Sequence, residues 1–149
     1  MNERKSTVLV VDDISENIDV MIGILDIEYD VKYALNGIKA LEIASKAPQP
    51  DIILLDVMMP EMSGYEVCEK LKQNASTAHI PVIFVTAFDD LSGELRGFKV
   101  GGVDYIIKPV VPELVMARVK MQLELMEVKN KLVEYSQRME KMLDKKLDL

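Results

Sequence analysis

Five short runs of β-branched and apolar residues recur along the first 112 positions of the chain. They occupy positions 7–11, 31–34, 52–55, 82–85 and 105–107, with the letters TVLVV, VKYA, IILL, VIFV and YII. Apart from the second run, they lack the alternation of polar and apolar residues found in strands that face water on one side. Such runs are typical of strands that are buried on both faces of a parallel sheet.

Amphipathic stretches of helical length separate these runs. The first begins at Ser15 or Asn17, either of which is suited to cap a helix, and the later ones span 37–46, 65–73 and 91–100. Strands that alternate with helices predict an α/β fold with a doubly wound, five-stranded parallel sheet. Because the crossovers in such a sheet are right-handed, the loops that follow the strands share one edge, where these folds hold their sites.

The end of the chain follows a different period. Residues 113–149 contain neither proline nor glycine, and Pro112 suits the first turn of a helix. Apolar residues recur at alternating steps of four and three: Met121, Leu125, Val128, Leu132, Tyr135, Met139 and Met142. This heptad pattern predicts a coiled coil. The competing interpretation, a core helix with a frayed end, leaves a long apolar stripe in water and is disfavoured.

The heptad frame also indicates how two copies associate. With Met121 at a d position, Glu124 falls at g and Lys129 at e, so opposite charges can pair across a parallel two-stranded coil. We therefore expect a homodimer through the C-terminal helix. The predicted organisation is a globular domain of residues 1–122 and a helical coiled-coil extension of residues 123–149 that continues the last helix of the domain.

The charge of the chain divides near the same point. Residues 1–112 hold 18 acidic and 10 basic side chains, whereas residues 113–149 hold 7 and 8. The acidic body argues against general binding to a nucleic acid backbone. The single cysteine excludes an intramolecular disulfide framework and suits a reducing compartment, and the first residues are too poor in apolar side chains for a signal peptide or a membrane span. We expect a cytoplasmic protein that contacts neither membrane nor nucleic acid.

Polar side chains follow the predicted strands at the shared edge of the sheet. Three carboxylates that converge there repel one another unless a proton or a cation intervenes, and Mg²⁺ prefers oxygen ligands. A lysine and a threonine nearby offer a charge partner and a hydrogen-bond donor to a phosphoryl group, which a carboxylate can accept. Each residue alone has an ordinary explanation as a helix cap or a turn, but the combination points to phosphoryl transfer. The residues are Asp12, Asp13, Asp56, Thr86 and Lys108.

Four segments resemble the receiver domain of two-component response regulators in order and spacing: VLVVDD, DIILLDVMMPEMSGYE, PVIFVTA and GGVDYIIKP. The resemblance covers residues 6–122 and implies a flavodoxin-like sheet of order 2-1-3-4-5 with a long C-terminal helix. It implies that Asp56 accepts a phosphoryl group from a sensor histidine kinase or a phosphotransfer protein. The chain is then a signalling domain that catalyses only its own phosphorylation and dephosphorylation.

The same resemblance implies a role for each residue near the acceptor. Mg²⁺ is bound by Asp13, Asp56 and the backbone carbonyl of Met58, with Asp12 acting largely through water. Lys108 contacts the phosphoryl group, and its peptide bond to the following proline is expected to be cis.

Two further residues match the switch of the family. Thr86 matches the switch hydroxyl and Tyr105 the switch aromatic residue. On phosphorylation, Thr86 is expected to move towards the phosphoryl group while Tyr105 turns inward, which changes the face formed by the fourth helix, the fifth strand and the fifth helix.

Three functions stay open at this point. The first is a phosphoacceptor domain, a fragment of a longer regulator, whose dimerising helix transmits the change to an output. The second is a stand-alone receiver that acts by docking on a protein partner. The third is a Mg²⁺-dependent phosphohydrolase with an aspartate nucleophile, which is disfavoured because Met58 stands where a second aspartate is needed. Met58 and Phe88 are expected to line the mouth of the pocket and to favour a long-lived phosphoaspartate.

Overall fold

A five-stranded parallel sheet forms the centre of the molecule. The computed structural model describes residues 4–87 and 91–147, and Phe88 lies outside these ranges. The strands are β1 (Thr7–Val11), β2 (Asp30–Ala34), β3 (Ile52–Asp56), β4 (Val82–Thr86) and β5 (Asp104–Ile107). They pair in the order β2-β1-β3-β4-β5, and every pair is parallel. The predicted sheet and its order are therefore confirmed.

Five helices cover the two faces of this sheet. They are α1 (Ser15–Leu25), α2 (Gly37–Ser45), α3 (Gly64–Gln73), α4 (Leu91–Lys99) and α5 (Pro112–Leu147). Alternate strand residues point to opposite faces, so Leu9 packs in the core cluster that includes residues of α2 and α3, whereas Val8 packs in the one that includes residues of α1 and α5. This arrangement is the predicted doubly wound fold.

The position of each strand explains its residue pattern. Every residue of β1, β3 and β4 is buried, as the runs without polar alternation predicted. The second strand differs because it lies at the edge of the sheet, and Tyr33 is 55% exposed there. Exposed and buried residues do not alternate along β2, so its polar residues reflect partial exposure at the edge of the sheet and not one solvated face.

Side-chain caps begin two of the helices, but not the first. The Asn36 side chain accepts a hydrogen bond from the Lys39 amide, which caps α2. The prediction that Ser15 or Asn17 caps α1 is wrong: Ser15 is the first helical residue, and Ile14 holds the cap position without a side-chain bond. The loop before α1 is short, and Asp12 accepts a hydrogen bond from the Ile14 amide instead, at 2.9 Å.

The helix α5 starts on the domain and continues far beyond it. Its 36 residues correspond to about 54 Å at about 1.5 Å per residue. Val115 and Val119 are buried against the sheet, whereas every residue from 127 to 147 is exposed. The helix is continuous across positions 122 and 123, so the domain boundary there stays a prediction. None of the helices in the described ranges is long and apolar enough to cross a membrane.

Candidate functional site

Three carboxylates meet at the edge of the sheet where the parallel strands end. Asp12 follows β1, Asp13 comes next in the same loop, and Asp56 is the last residue of β3. One carboxylate oxygen from each of them lies within 4.8 Å of the others. Asp12 and Asp56 are buried, with 5% and 4% of their surfaces exposed. The topology of the sheet brings these residues together because β1 and β3 are neighbours that run in the same direction.

Burial and neighbouring charges together raise the pKa of Asp56. Burial, and then the nearby charge of Asp12, raises the pKa of Asp56 from its ordinary 3.8 to about 6. The Asp13 carboxylate adds to the rise, while the charge and the hydrogen bond of Lys108 oppose it. A divalent cation bound by these oxygens would favour the ionised form and relieve the repulsion.

One lysine ammonium connects the carboxylates. Lys108, which follows β5, donates a hydrogen bond to Asp12 at 3.0 Å and a longer one to Asp56 at 3.4 Å. Burial by itself would lower the pKa of Lys108, but its hydrogen bonds and its proximity to both carboxylates outweigh burial and raise that pKa. The lysine therefore stays charged at neutral pH beside Asp56. The Lys108–Pro109 peptide bond is cis.

The end of β4 completes this edge of the sheet. Thr86 is the last residue of β4 and is 1% exposed. It pairs in register with Ile107 of β5, and its carbonyl accepts a hydrogen bond from the Lys108 amide at 2.8 Å. Thr86 thus lies on β4, the strand between β3, which ends at Asp56, and β5, which Lys108 follows.

The loop after Asp56 turns tightly into α3. The Gly64 amide donates a hydrogen bond to the carbonyl of Val57 at 2.9 Å. A side chain at Gly64 would collide with the carbonyl oxygen of Asp56 and would place its Cβ 2.9 Å from the Cα of Val57. Only glycine allows this close approach, so the loop is held against the backbone of Asp56.

An apolar cavity adjoins the acidic cluster on the α1 side. It has a volume of about 280 Å³, and both Asp12 and Lys108 are among its lining residues. Val20 of α1 and Val110, beyond β5, supply apolar walls. The side chain of Met58 is 59% exposed. That Met58 and Phe88 jointly line the mouth of the pocket stays a prediction, because Phe88 lies outside the described residues.

Sequence reasoning missed a hydrogen-bonded cluster around Tyr105. The Tyr105 ring is 7% exposed, in the inward position, and its hydroxyl lies 2.9 Å from the hydroxyl of Tyr65. Both hydroxyls reach the carbonyl oxygen of Gly93 in α4. The tyrosines are 40 residues apart, and no local pattern pairs them.

Arg118 of α5 also has a partner that the heptad pattern did not indicate. Its guanidinium binds both carboxylate oxygens of Asp104 at 2.8 Å, which ties α5 to β5. Arg118 lies three residues before Met121, at which the apolar seam begins. His79 is part of no metal-binding group among the described residues, and burial raises the pKa of the Cys68 thiol to about 11.

Comparison with known proteins defines the class. Residues 8–120 match the family described as the response regulator receiver domain. A probable cyclic di-GMP phosphodiesterase of Vibrio cholerae is 47% identical over 118 residues, which cover 79% of this chain and 26% of that protein. The response regulator PleD of Caulobacter vibrioides is 44% identical over 114 residues, covering 76% of this chain and 25% of PleD.

Solved structures agree with the sequence relatives. The BeF3-activated receiver domain of DrrB, a Thermotoga maritima protein, superposes with a TM-score of 0.72 at 35% identity and covers 80% of this chain and 98% of that domain. The chain belongs to the response regulator receiver domain family. It spans about a quarter of the length of the two sequence relatives named above.

Proposed function

We propose that the chain accepts a phosphoryl group on Asp56 and reports it through the C-terminal helix. The observation that carries the proposal is the buried carboxylate cluster with one lysine ammonium between Asp12 and Asp56. In this arrangement Asp56 supplies the nucleophilic oxygen, and Lys108 offers a positive charge to the oxygens of the incoming phosphoryl group. The phosphodonor is a sensor histidine kinase or a phosphotransfer protein, the partners with which receiver domains interact.

The donor set fits Mg²⁺, a hard cation that prefers oxygen ligands. In our proposal Asp13, Asp56 and the backbone carbonyl of Met58 bind the ion, and Asp12 acts largely through water. When bound, the ion neutralises negative charge on the carboxylates and on the transferred group. The raised pKa of Asp56 supports this assignment, because burial and the charges of Asp12 and Asp13 both disfavour the ionised form, which a bound cation would stabilise.

The response of the domain starts from added charge. A phosphoryl group brings roughly −1.5 to −2 charges and new acceptor oxygens to Asp56. Thr86, on the adjacent strand, then supplies a hydroxyl to one of these oxygens, and the inward position of Tyr105 becomes favoured. Because Tyr105 contacts α4 through Gly93, this shift changes the face formed by α4, β5 and α5.

Phosphorylation is tested with a small phosphodonor such as acetyl phosphate in the presence of Mg²⁺. The intact mass of the chain should rise by one phosphoryl group, and the gain should be lost with EDTA and in the Asp56→Asn variant. Asp26→Asn removes an exposed aspartate elsewhere and should leave the gain intact. Labelling that persists in Asp56→Asn would refute Asp56 as the acceptor. Continued turnover of phosphate esters by the wild-type chain would instead support the phosphohydrolase alternative.

We further propose that the extension forms a parallel coiled-coil homodimer. All seven seam residues are at least 43% exposed, and they cover a single stripe of α5: Met121, Leu125, Val128, Leu132, Tyr135, Met139 and Met142. Met121 lies six residues after the buried Val115, about 240° around a helix of about 3.6 residues per turn. The seam therefore faces away from the sheet, which leaves room for a second helix.

A pair of neighbouring substitutions tests the dimer. Leu132 and Val133 are both exposed and apolar, but only Leu132 lies on the seam. Leu132→Lys should give a monomer in light scattering over a concentration series, whereas Val133→Lys should keep the mass of a dimer. A wild-type chain that stays monomeric throughout, with and without beryllofluoride, would exclude the coil and favour a receiver that docks on another protein.

The relatives suggest the setting of this activity. The chain matches about a quarter of PleD and of the Vibrio cholerae phosphodiesterase, so we propose that it is the receiver part of a longer cytoplasmic regulator whose output lies elsewhere. The coil then carries the change from the receiver to that output. The length and mass of the natural protein in cell extract, detected with an antibody to this domain, test the proposal.

A further inference from the structure

Two buried tyrosine hydroxyls from different elements meet one carbonyl of α4. Tyr65 is in the first turn of α3 and Tyr105 is in β5, and each is 7% exposed. Their hydroxyl oxygens lie 2.9 Å apart, and that of Tyr65 lies 2.8 Å from the carbonyl oxygen of Gly93. The Tyr105 hydroxyl also donates to this carbonyl. Three elements of the domain are thus joined at one point.

The two tyrosine hydroxyls have only two protons between them, so the hydrogen bonds that one of them makes depend on those of the other. Each hydroxyl has one proton to donate, and a carbonyl oxygen can accept two hydrogen bonds. Two protons thus serve three short contacts: when Tyr105 donates to Gly93, its own oxygen can accept the proton of Tyr65, which can instead go to Gly93 itself. In the first arrangement Tyr65 supplies a hydrogen bond to Tyr105 in the inward position, where a lost partner is costly.

The packing around the pair is specific for the inward position. A side chain at Gly97 of α4 would collide with the Tyr105 hydroxyl, so the absence of a side chain provides the space. The ring of Phe84 packs against both tyrosines, with its centroid 5.1 Å from that of Tyr65 and 5.3 Å from that of Tyr105. The Arg96 guanidinium lies over the Tyr65 ring, 4.9 Å from its centroid.

Tyr65 is also close in sequence to the acceptor loop. It follows Gly64, whose amide binds the carbonyl of Val57 and whose Cα faces the backbone of Asp56. The first turn of α3 therefore contacts the backbone of Val57, the residue after Asp56, through Gly64, and it contacts α4 through Tyr65. These contacts link Asp56 to α4 by a second route, in addition to the route through Thr86 and β5.

We propose that Tyr65 is a positioning residue that holds Tyr105 inward and so sets how strongly α4 responds to a phosphoryl group on Asp56. This inference rests on the proposed phosphoacceptor function. In the Tyr65→Phe variant the ring stays and the hydroxyl is lost, so the inward position of Tyr105 loses one hydrogen bond. If the phosphoryl group favours that position, the apparent affinity for a phosphoryl mimic falls by at most the factor that one hydrogen bond contributes, about three- to tenfold.

The test uses the full chain labelled with ring-¹³C tyrosine. The chain has five tyrosines, and the Tyr105 signal is identified by its loss in Tyr105→Phe. In Tyr65→Phe the Tyr105 signal should move towards that of an exposed tyrosine, and beryllofluoride with Mg²⁺ should bind more weakly, by at most about three- to tenfold. Tyr33→Phe, at the exposed edge strand, should change neither quantity. Gly97→Ala should displace Tyr105 in the same way by steric collision.

Two results would overturn the proposal in different ways. An unchanged Tyr105 signal and an unchanged beryllofluoride affinity in Tyr65→Phe would show that Tyr65 does not position Tyr105. A wild-type chain that binds beryllofluoride no better than Asp56→Asn would refute the phosphoacceptor function, and this proposal would fall with it. A circular dichroism spectrum that shows Tyr65→Phe to be fully folded at the assay temperature would show that an affinity loss is not due to unfolding.

Discussion

The burial of Asp56, together with the repulsion from Asp12 and Asp13, predicts that neutralising this residue stabilises the domain. Asp56→Asn keeps the size of the side chain and removes its charge. The opposite charges of Asp12 and Lys108, 3.0 Å apart, still compensate each other in the variant. In the absence of Mg²⁺, we therefore expect the variant to be more stable to urea than the wild type at pH 7.5.

The magnitude follows from the pKa of Asp56. A rise from 3.8 to about 6 is about two units, or at most about 3 kcal/mol at about 1.4 kcal/mol per unit. Only 6% of the Asp56 side chain is exposed, so solvent screens the effect little. Because the folded-state pKa lies above the unfolded one, the wild type loses stability as the pH rises from about 4 to about 6, and the loss is complete above that range.

The assay is urea unfolding in EDTA, followed by circular dichroism at pH 4.5, 6 and 7.5. The advantage of Asp56→Asn should be small at pH 4.5 and should grow to about 2–3 kcal/mol at pH 7.5. Asp26→Asn controls for the general loss of one negative charge. An advantage that does not change with pH, or a variant less stable than the wild type at pH 7.5, would refute the reasoning. Mg²⁺ should stabilise the wild type more than the variant.

Three further predictions concern other residues of the domain. Met58→Asn should shorten the lifetime of the phosphorylated form several-fold, since an amide can orient an attacking water, and an unchanged or slower decay, measured by intact mass, would contradict this. Gly64→Ala should destabilise the fold by about 1–3 kcal/mol in urea, because its Cβ would collide with the backbone at Asp56. Cys68 should react with a thiol reagent at pH 8 only after unfolding, because the thiol is buried and its pKa is about 11; fast labelling of the native chain would show otherwise.

Local sequence patterns predicted most of the architecture. The apolar runs located all five strands to within one residue at either end, because strands buried on both faces have no polar alternation to obscure them. The order of the motifs then identified the edge of the sheet at which Asp12 and Asp56 end up. The predicted cap of α1 by Ser15 or Asn17 was wrong. The Asp12 carboxylate, which belongs to the acidic cluster, also accepts the hydrogen bond of the Ile14 amide just before that helix.

The heptad period and the fold supply different information about α5. The period indicates which residues form an apolar stripe, and the structure adds that this stripe is exposed on the side away from the sheet. The period could not indicate that Arg118 pairs with Asp104, because that partner belongs to β5. An ion pair between separate elements leaves no trace in a helical repeat.

By itself, the sequence determined the class of fold, the positions of the strands and the identity of the polar residues at their ends, since these depend on local periodicity and on the rule that parallel strands end at one edge. Only the tertiary structure decided which side chains touch and at what distance. The pKa of Asp56 depends on burial and on Asp12, which is 44 positions earlier in the chain. The contact of Tyr65 with Tyr105 likewise requires that β5 and α3 pack together, so neither could be predicted before the chain was folded.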